Sequence, residues 1–161
     1  MPRPRIDHWD RRFFTLAADV AQWSKDPSTR VGAVIANDLH QVLGLGFNGF
    51  PRGMDDDPAL YDDRPTKYAR VIHAEVNAIL NAIAPVRGET LYVTMYPCHE
   101  CAKVIIQSGI ERLVTAPPTT DRWDESHKNS ARFFQEAGII VDKIDIDLPL
   151  REKYPMTFKD G

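Results

Sequence analysis

Along the first 24 residues the apolar positions Trp9, Phe13, Leu16, Val20 and Trp23 recur at alternating spacings of four and three. That is one stripe of an α-helix, predicted over 8–24 with Asp7 as its N-cap. The period then changes. "RVGAVIA" (30–36) and "HQVLGLGF" (40–47) read as two strands around a short Asn-Asp turn, a hairpin. Gly44 and Gly46 weaken the second strand or mark a close backbone approach. Residues 48–70, rich in Pro, Asp and Gly, are predicted as a long polar loop. Val76, Ile79, Leu80 and Ile83 restore the i, i+3, i+4, i+7 spacing, which predicts a helix from His73 to about Ala84, stopped by Pro85, with that stripe buried. "GETLYVTMY" is a strand, and "CHECAKVIIQSG" is a helix opened by Pro97 and ended by Gly109. A strand "IERLVTA", a loop "PPTTDRWDES", a helix "HKNSARFFQEAG" and a strand "IIVDKID" follow, then a polar, irregular tail from Asp147.

This order predicts an α/β protein with helices on both faces of one mixed sheet of five strands. The first two strands form the antiparallel hairpin, and the later ones run parallel because a helix joins each to the next. With no repeat and no linker, residues 1–161 are expected to form one domain. Apolar residues at 43% and charged residues at 27% are an ordinary globular balance, and no apolar run approaches the roughly 20 residues of a membrane span. No secretory signal follows the charged start, so a cytoplasmic location is expected. The net charge of −3 speaks against a nucleic-acid polymer as partner, yet it leaves room for a single nucleotide, which needs only a local basic spot.

The helix "HAEVNAIL" opens with an imidazole and a carboxylate beside an apolar core, an arrangement that costs free energy unless both are paired or bound. The two cysteines, Cys98 and Cys101, stand three apart on the first turn of another helix. A helix N-terminus favours thiolate, the metal-binding form. Taken alone, the Cys-x-x-Cys fits a redox dithiol as well as a metal pair. His73 and Glu75 at the head of a second helix move the balance to metal. Two thiolates and an imidazole suit Zn²⁺ and leave its fourth tetrahedral position for water. Glu75 is then free to act as the catalytic proton carrier rather than as a ligand. A purely structural zinc would want a fourth protein ligand. His8, His40, His99 and His127 stand in no ligand spacing, and His99 between the cysteines reads as a surface helix residue.

His-x-Glu (73–75) and Pro-Cys-x-x-Cys (97–101) together form the signature of zinc nucleobase deaminases. "KDPSTRVGAVI", "GLGFNGFPRG", "HAEVNAIL" and "YPCHECAKVIIQSGI", in this order, resemble the deoxycytidylate (dCMP) deaminase family over roughly residues 9–145. The resemblance implies a cytidine-deaminase-like three-layer α/β/α sandwich holding zinc between two helix starts. It implies a hydrolase that converts dCMP to dUMP and ammonia. Asn48 matches the position that contacts the sugar, although "NG" is also a strong turn signal. The Ala74 amide would bind the pyrimidine O2, and the Tyr96 carbonyl would accept from the exocyclic amine. The segment "APPTTDRWDES" departs from the family's tyrosine-containing loop, with Trp123 either a lid over the site or a packing residue. Arg30, Arg52, Arg64 and Lys67 are cations near the expected pocket, of which Arg30 and Arg52 are the chosen phosphate contacts. Family members resemble one another as homo-oligomers, commonly hexamers, with dCTP and dTTP as effectors. The alternatives are a deaminase of dCTP, of 5-substituted dCMP or of deoxycytidine, or a dithiol oxidoreductase. A tRNA adenosine deaminase fits the acidic balance and the "GFNGFPRG" loop less well.

Overall fold

The computed structural model describes residues 6–118 and 124–144. In chain order the elements are α1 (His8–Ala21), β1 (Gly32–Ala36), β2 (Val42–Phe47), α2 (Ala59–Asp62), α3 (Arg64–Arg70), α4 (Ala74–Leu80), β3 (Thr90–Val93), α5 (His99–Ser108), β4 (Arg112–Thr115), α6 (Asp124–Ala137) and β5 (Ile140–Lys143). None of the described helices is long and apolar enough to cross a membrane.

The five strands form one sheet in the order β2-β1-β3-β4-β5. β1 is antiparallel to both β2 and β3, while β3, β4 and β5 run parallel. β1 is buried on both faces, and its alternation splits the core. Val34 and Ala36 face one way, where Phe13, Phe14 and Ala17 of α1 cover them together with Tyr92 and Val114. Ala33 and Ile35 face the other way, towards Ala74 and Ala78 of α4, Ala102 and Ile105 of α5 and Phe134 of α6. The result is the expected α/β/α sandwich. Each large apolar side chain buried in these two layers stabilises the fold by about 1.5–3 kcal/mol.

The helices approach the sheet more closely than an apolar stripe suggests. α1 starts with a capping box, in which Asp7 Oδ1 accepts the Asp10 amide at 2.8 Å and Asp10 Oδ2 accepts the Asp7 amide at 3.0 Å. Its buried face runs through Phe13, Phe14, Ala17 and Ala21, and Trp23 is exposed. On the opposite layer α4 lies directly on β2. A Cβ at Gly46 would collide with Ala78 N and Ala74 O, and one at Gly44 with Ala78 O. Backbone this close admits only small side chains where the two touch, at Ala74 and Ala78, while the buried Glu75 faces the cavity. Of the expected buried stripe of Val76, Ile79, Leu80 and Ile83, Ile79 packs partly buried against the core, while that geometry leaves Leu80 and Ile83 outside it. Leu80 is 71% exposed and Ile83 85% exposed, and the helix ends at Leu80, with Asn81 as its C-cap, instead of near Ala84.

α4 also closes the outer edge of β2. The Ile83 amide donates to Leu43 O at 2.9 Å. Asn81 Nδ2 donates to Leu45 O at 3.0 Å and Asn77 Nδ2 to Phe47 O at 2.7 Å.

The polar stretch 48–70 holds two short helices that its composition hid. Asp63 caps α3 by accepting the Thr66 amide at 3.2 Å, with Pro65 in the first turn. The stretch is pinned by the stacked rings of Phe50 and Tyr61, 4.0 Å apart, and by the Tyr61 hydroxyl donating to Asp56 at 2.8 Å.

Candidate active site

α4 and α5 begin side by side on the same face of the sheet. His73 is the N-cap of α4 and Cys98 the N-cap of α5, yet neither side chain caps its own helix. They turn towards each other instead. His73 Nδ1 lies 3.2 Å from Cys101 Sγ and 3.5 Å from Cys98 Sγ. The three donor atoms all lie within 4.8 Å of one another. A tetrahedral zinc with ligand bonds of about 2.0–2.3 Å sets such atoms about 3.5–3.8 Å apart. The donor set therefore fits zinc in both spacing and chemistry.

The three donors titrate as one coupled group. The Cys98 thiol is drawn down to about 4 by the hydrogen bond from Cys101, against the effect of burial and with help from His73. The Cys101 thiol is pushed up by the same bond and by its own burial. Two thiols this close cannot both ionise by themselves, and a divalent cation reverses that preference. The His73 imidazole is raised, chiefly by Cys98. Glu75 is 4% exposed, and burial lifts its carboxyl above the usual range, against the pull of His73. A carboxyl lifted in this way is better matched to passing a proton near neutrality.

A cavity opens in front of the cluster. Its wall includes Glu75, Cys98, Asn48, Asp26, Lys67 and His127. Ala74 and Tyr96 also border it, both almost fully buried. Asn48 ends β2 with its side chain buried. Its Oδ1 accepts the Val31 amide at 2.8 Å, and its Nδ2 donates to Thr29 O at 3.0 Å and to Asp26 Oδ2 at 3.4 Å. Asp26 accepts the Ser28 and Thr29 amides as well and pairs with Lys67 Nζ at 2.9 Å. The amide expected at the sugar is thus wired into the 26–31 turn, with one lone pair of Oδ1 left over.

The chosen cations lie differently. Arg30 is half-buried, its Nε on Asp26 O at 3.2 Å and its Nη1 on Gln22 O at 3.4 Å, between cavity residues Thr29 and Val31. Arg52 is exposed, donates to Asn81 Oδ1 at 3.1 Å and is absent from the cavity wall. Trp123 lies outside the described residues. Asp26 and His127 were not singled out by sequence. "DPS" read as the end of a helix, and nothing in its spacing ties His127, within the first turn of α6, to the other site residues.

Known proteins bear on this site. The family described as the cytidine and deoxycytidylate deaminase zinc-binding region matches residues 7–116. A deoxycytidylate deaminase of Mus musculus is 40% identical, covering 84% of this chain and 79% of its own length. An uncharacterized deaminase of Aliivibrio fischeri is 42% identical, covering 89% of this chain and 98% of its own. The crystal structure of the dCMP deaminase of cyanophage S-TIM5 in complex with dCMP and dUMP superposes with a TM-score of 0.67 at 22% identity, over 89% of this chain and all of that one. At that identity the likeness concerns the fold. With His73, Glu75 and Cys98 on one cavity, Cys101 completing the donor triad, and all four inside the matched region, the chain belongs to the zinc-binding cytidine and deoxycytidylate deaminase family.

Proposed function

We propose that this protein hydrolyses dCMP to dUMP and ammonia. The observation that carries the reading is the donor triad of His73, Cys98 and Cys101 with the buried carboxyl of Glu75 on the same cavity. Zinc held by that triad supplies the Lewis acidity that makes a water nucleophilic near neutral pH. Glu75 takes one proton of the attacking water and passes it to N3; it then takes the proton of the new C4 hydroxyl, as that oxygen becomes the carbonyl, and delivers it to the amine, so that the C4–N bond breaks and ammonia leaves. Ala74 is the first residue of α4, so its amide lies outside the helix's own hydrogen-bond ladder and is available to O2 of the base. The Tyr96 carbonyl accepts from the exocyclic amine. Asn48 Oδ1 accepts from a sugar hydroxyl with its remaining lone pair, held in place by Val31 and Thr29.

The phosphate is met by cations at the cavity. Lys67 is on its wall, and Arg30 stands between two wall residues. The ion pair of Lys67 with Asp26 at 2.9 Å holds the ammonium in position. The enzyme works as a cytoplasmic homo-oligomer, a hexamer with dCTP and dTTP as effectors by the family resemblance. The exposed Leu80 and Ile83 side chains support association between copies.

Ammonia release from dCMP, dCTP, deoxycytidine and 5-methyl-dCMP, with zinc measured on the same sample, tests the reading. Preference for dCMP over deoxycytidine that falls in Arg30→Ala or Lys67→Ala is the expected result. Equal kcat/KM for dCMP and deoxycytidine would instead make it a nucleoside deaminase.

A further inference from the structure

Asp26 is 2% exposed and stands on the wall of the cavity that holds Glu75. Its two carboxylate oxygens face different partners. Oδ1 builds the local turn. It accepts the Ser28 amide at 2.8 Å and the Thr29 amide at 3.2 Å, the ordinary use of an Asp side chain at the head of a turn. Oδ2 faces side chains from elsewhere in the chain. It accepts Asn48 Nδ2 at 3.4 Å and lies 2.9 Å from Lys67 Nζ, which also reaches Oδ1 at 3.0 Å. One oxygen suffices for the turn, so the second is given over to the end of β2 and to α3.

The groups assigned to the sugar and the phosphate thus meet at one residue. Asn48 donates to Oδ2, Lys67 to both oxygens, and Arg30 Nε to the Asp26 carbonyl at 3.2 Å. Ser24 fastens the frame: its Oγ donates to the Asn48 carbonyl at 2.8 Å and accepts the Asp26 amide at 3.2 Å. Lys67 comes from a seven-residue helix with no buried residue, so packing does not aim its side chain. The carboxylate does. An ammonium carries three donors, and a carboxylate that engages two of them leaves one for a substrate oxygen. Contacts of this kind, with both partners charged, are roughly twice as strong as neutral ones.

We propose that Asp26 is a positioning residue that holds Lys67 in the same frame as Asn48, so that the preference for a nucleotide over its nucleoside depends on a buried carboxylate acting through Lys67. This inference rests on the deaminase reading above. Ammonia release from dCMP and deoxycytidine in the wild type, Asp26→Asn, Lys67→Ala and the double variant tests it, with zinc and a thermal melt measured on each preparation. Asp26→Asn keeps an oxygen for the two turn amides and sets an NH₂ group against the Asn48 and Lys67 donors. It should retain zinc and a cooperative melt. It should lower the ratio of kcat/KM for dCMP to that for deoxycytidine by about tenfold or more, the scale of one lost contact to a charged group. Lys67→Ala should lower the same ratio, and the double variant no further than Lys67→Ala alone. An aspartate that only shapes the turn would lower both substrates alike, so a ratio unchanged in Asp26→Asn overturns the proposal. So does a raised ratio, which would mean that the carboxylate repels the phosphate, or a double variant in which the two losses multiply. If Asp26→Asn does not fold, Asp26→Ser, whose hydroxyl also accepts turn amides, decides by the same ratio. A wild type that releases ammonia from neither substrate, or from both with equal kcat/KM, removes the nucleotide deaminase reading and this inference together. A dCMP preference that survives Asp26→Asn removes only the inference.

Discussion

Asn48 Oδ1 accepts the backbone amide of Val31 at 2.8 Å, which makes one side chain both the end of β2 and the lock of the 26–31 turn. Asn48→Ala should therefore do two things at once. It should raise KM and lower kcat for dCMP, because a misplaced sugar misplaces C4. It should also lower stability by about 1–3 kcal/mol, since the buried Val31 amide loses its acceptor. Kinetics and thermal unfolding on the same preparation check both. Intact dCMP kinetics with reduced stability would leave Asn48 a turn residue alone.

The donor triad predicts about one zinc per chain. Cys98→Ala should lose the metal and, because the triad joins the starts of α4 and α5, part of the thermal stability. Metal analysis and a melt with and without chelator measure this. Metal-free protein that forms a reversible Cys98–Cys101 disulfide would favour the dithiol reading.

Glu75→Gln keeps the shape of the cavity wall and removes the carboxyl proposed as the proton carrier. Zinc content should be unchanged while kcat falls by roughly 10²-fold or more. Zinc loss in that variant would mean the carboxylate is a ligand.

On the opposite face of the sheet Arg112 donates to both Asp10 oxygens at 2.8 and 3.0 Å and to Asp142 at 2.9 Å, and Tyr92 donates to Asp10 at 2.9 Å. Burial pushes the Asp10 carboxyl up, but Arg112, the Asp7 amide and Tyr92 together hold it below its ordinary value. A carboxylate lowered on folding adds stability above its unfolded value of about 4, and that stability is lost as pH falls further. Asp10→Asn should cost about 3–5 kcal/mol at pH 7, the usual result of breaking one side of a buried pair. The gap between variant and wild type should narrow below about pH 4. Chemical denaturation from pH 3 to 7 follows both. A gap independent of pH would show that Asp10 acts by packing and not by charge.

Much of this protein could be read along its chain. The strand order of types, the hairpin and both helix starts that carry the donors follow from periodicity and from Pro97 and Gly109. What escaped is contact between distant backbones. The apolar stripe of α4 failed as a guide because Gly44 and Gly46 let the helix settle on alanines, a preference that shows only when strand and helix are seen together. Of the two readings the sequence offered for Gly44 and Gly46, a weakened strand or a close backbone approach, the fold shows the second, with α4 lying on them through Ala74 and Ala78. α2 and α3 escaped because four- and seven-residue helices are held by Asp63, Tyr61 and Lys67 contacts and not by a periodic face. Asp26 escaped because its partners come from three separate segments.

The three outward carbonyls of β2, those of Leu43, Leu45 and Phe47, are all occupied by donors from Ile83, Asn81 and Asn77. An unprotected outer strand is a template on which another chain can add a strand, the route to edge-to-edge aggregation. Here the template is blunted by α4, which also carries Glu75, and by the turn that follows it. Copies of this protein that meet at this side must do so through side-chain surfaces such as Leu80 and Ile83, and not by extending the sheet. Replacing Asn77 and Asn81 together would return two carbonyls to solvent and leave this edge open to strand addition by another copy.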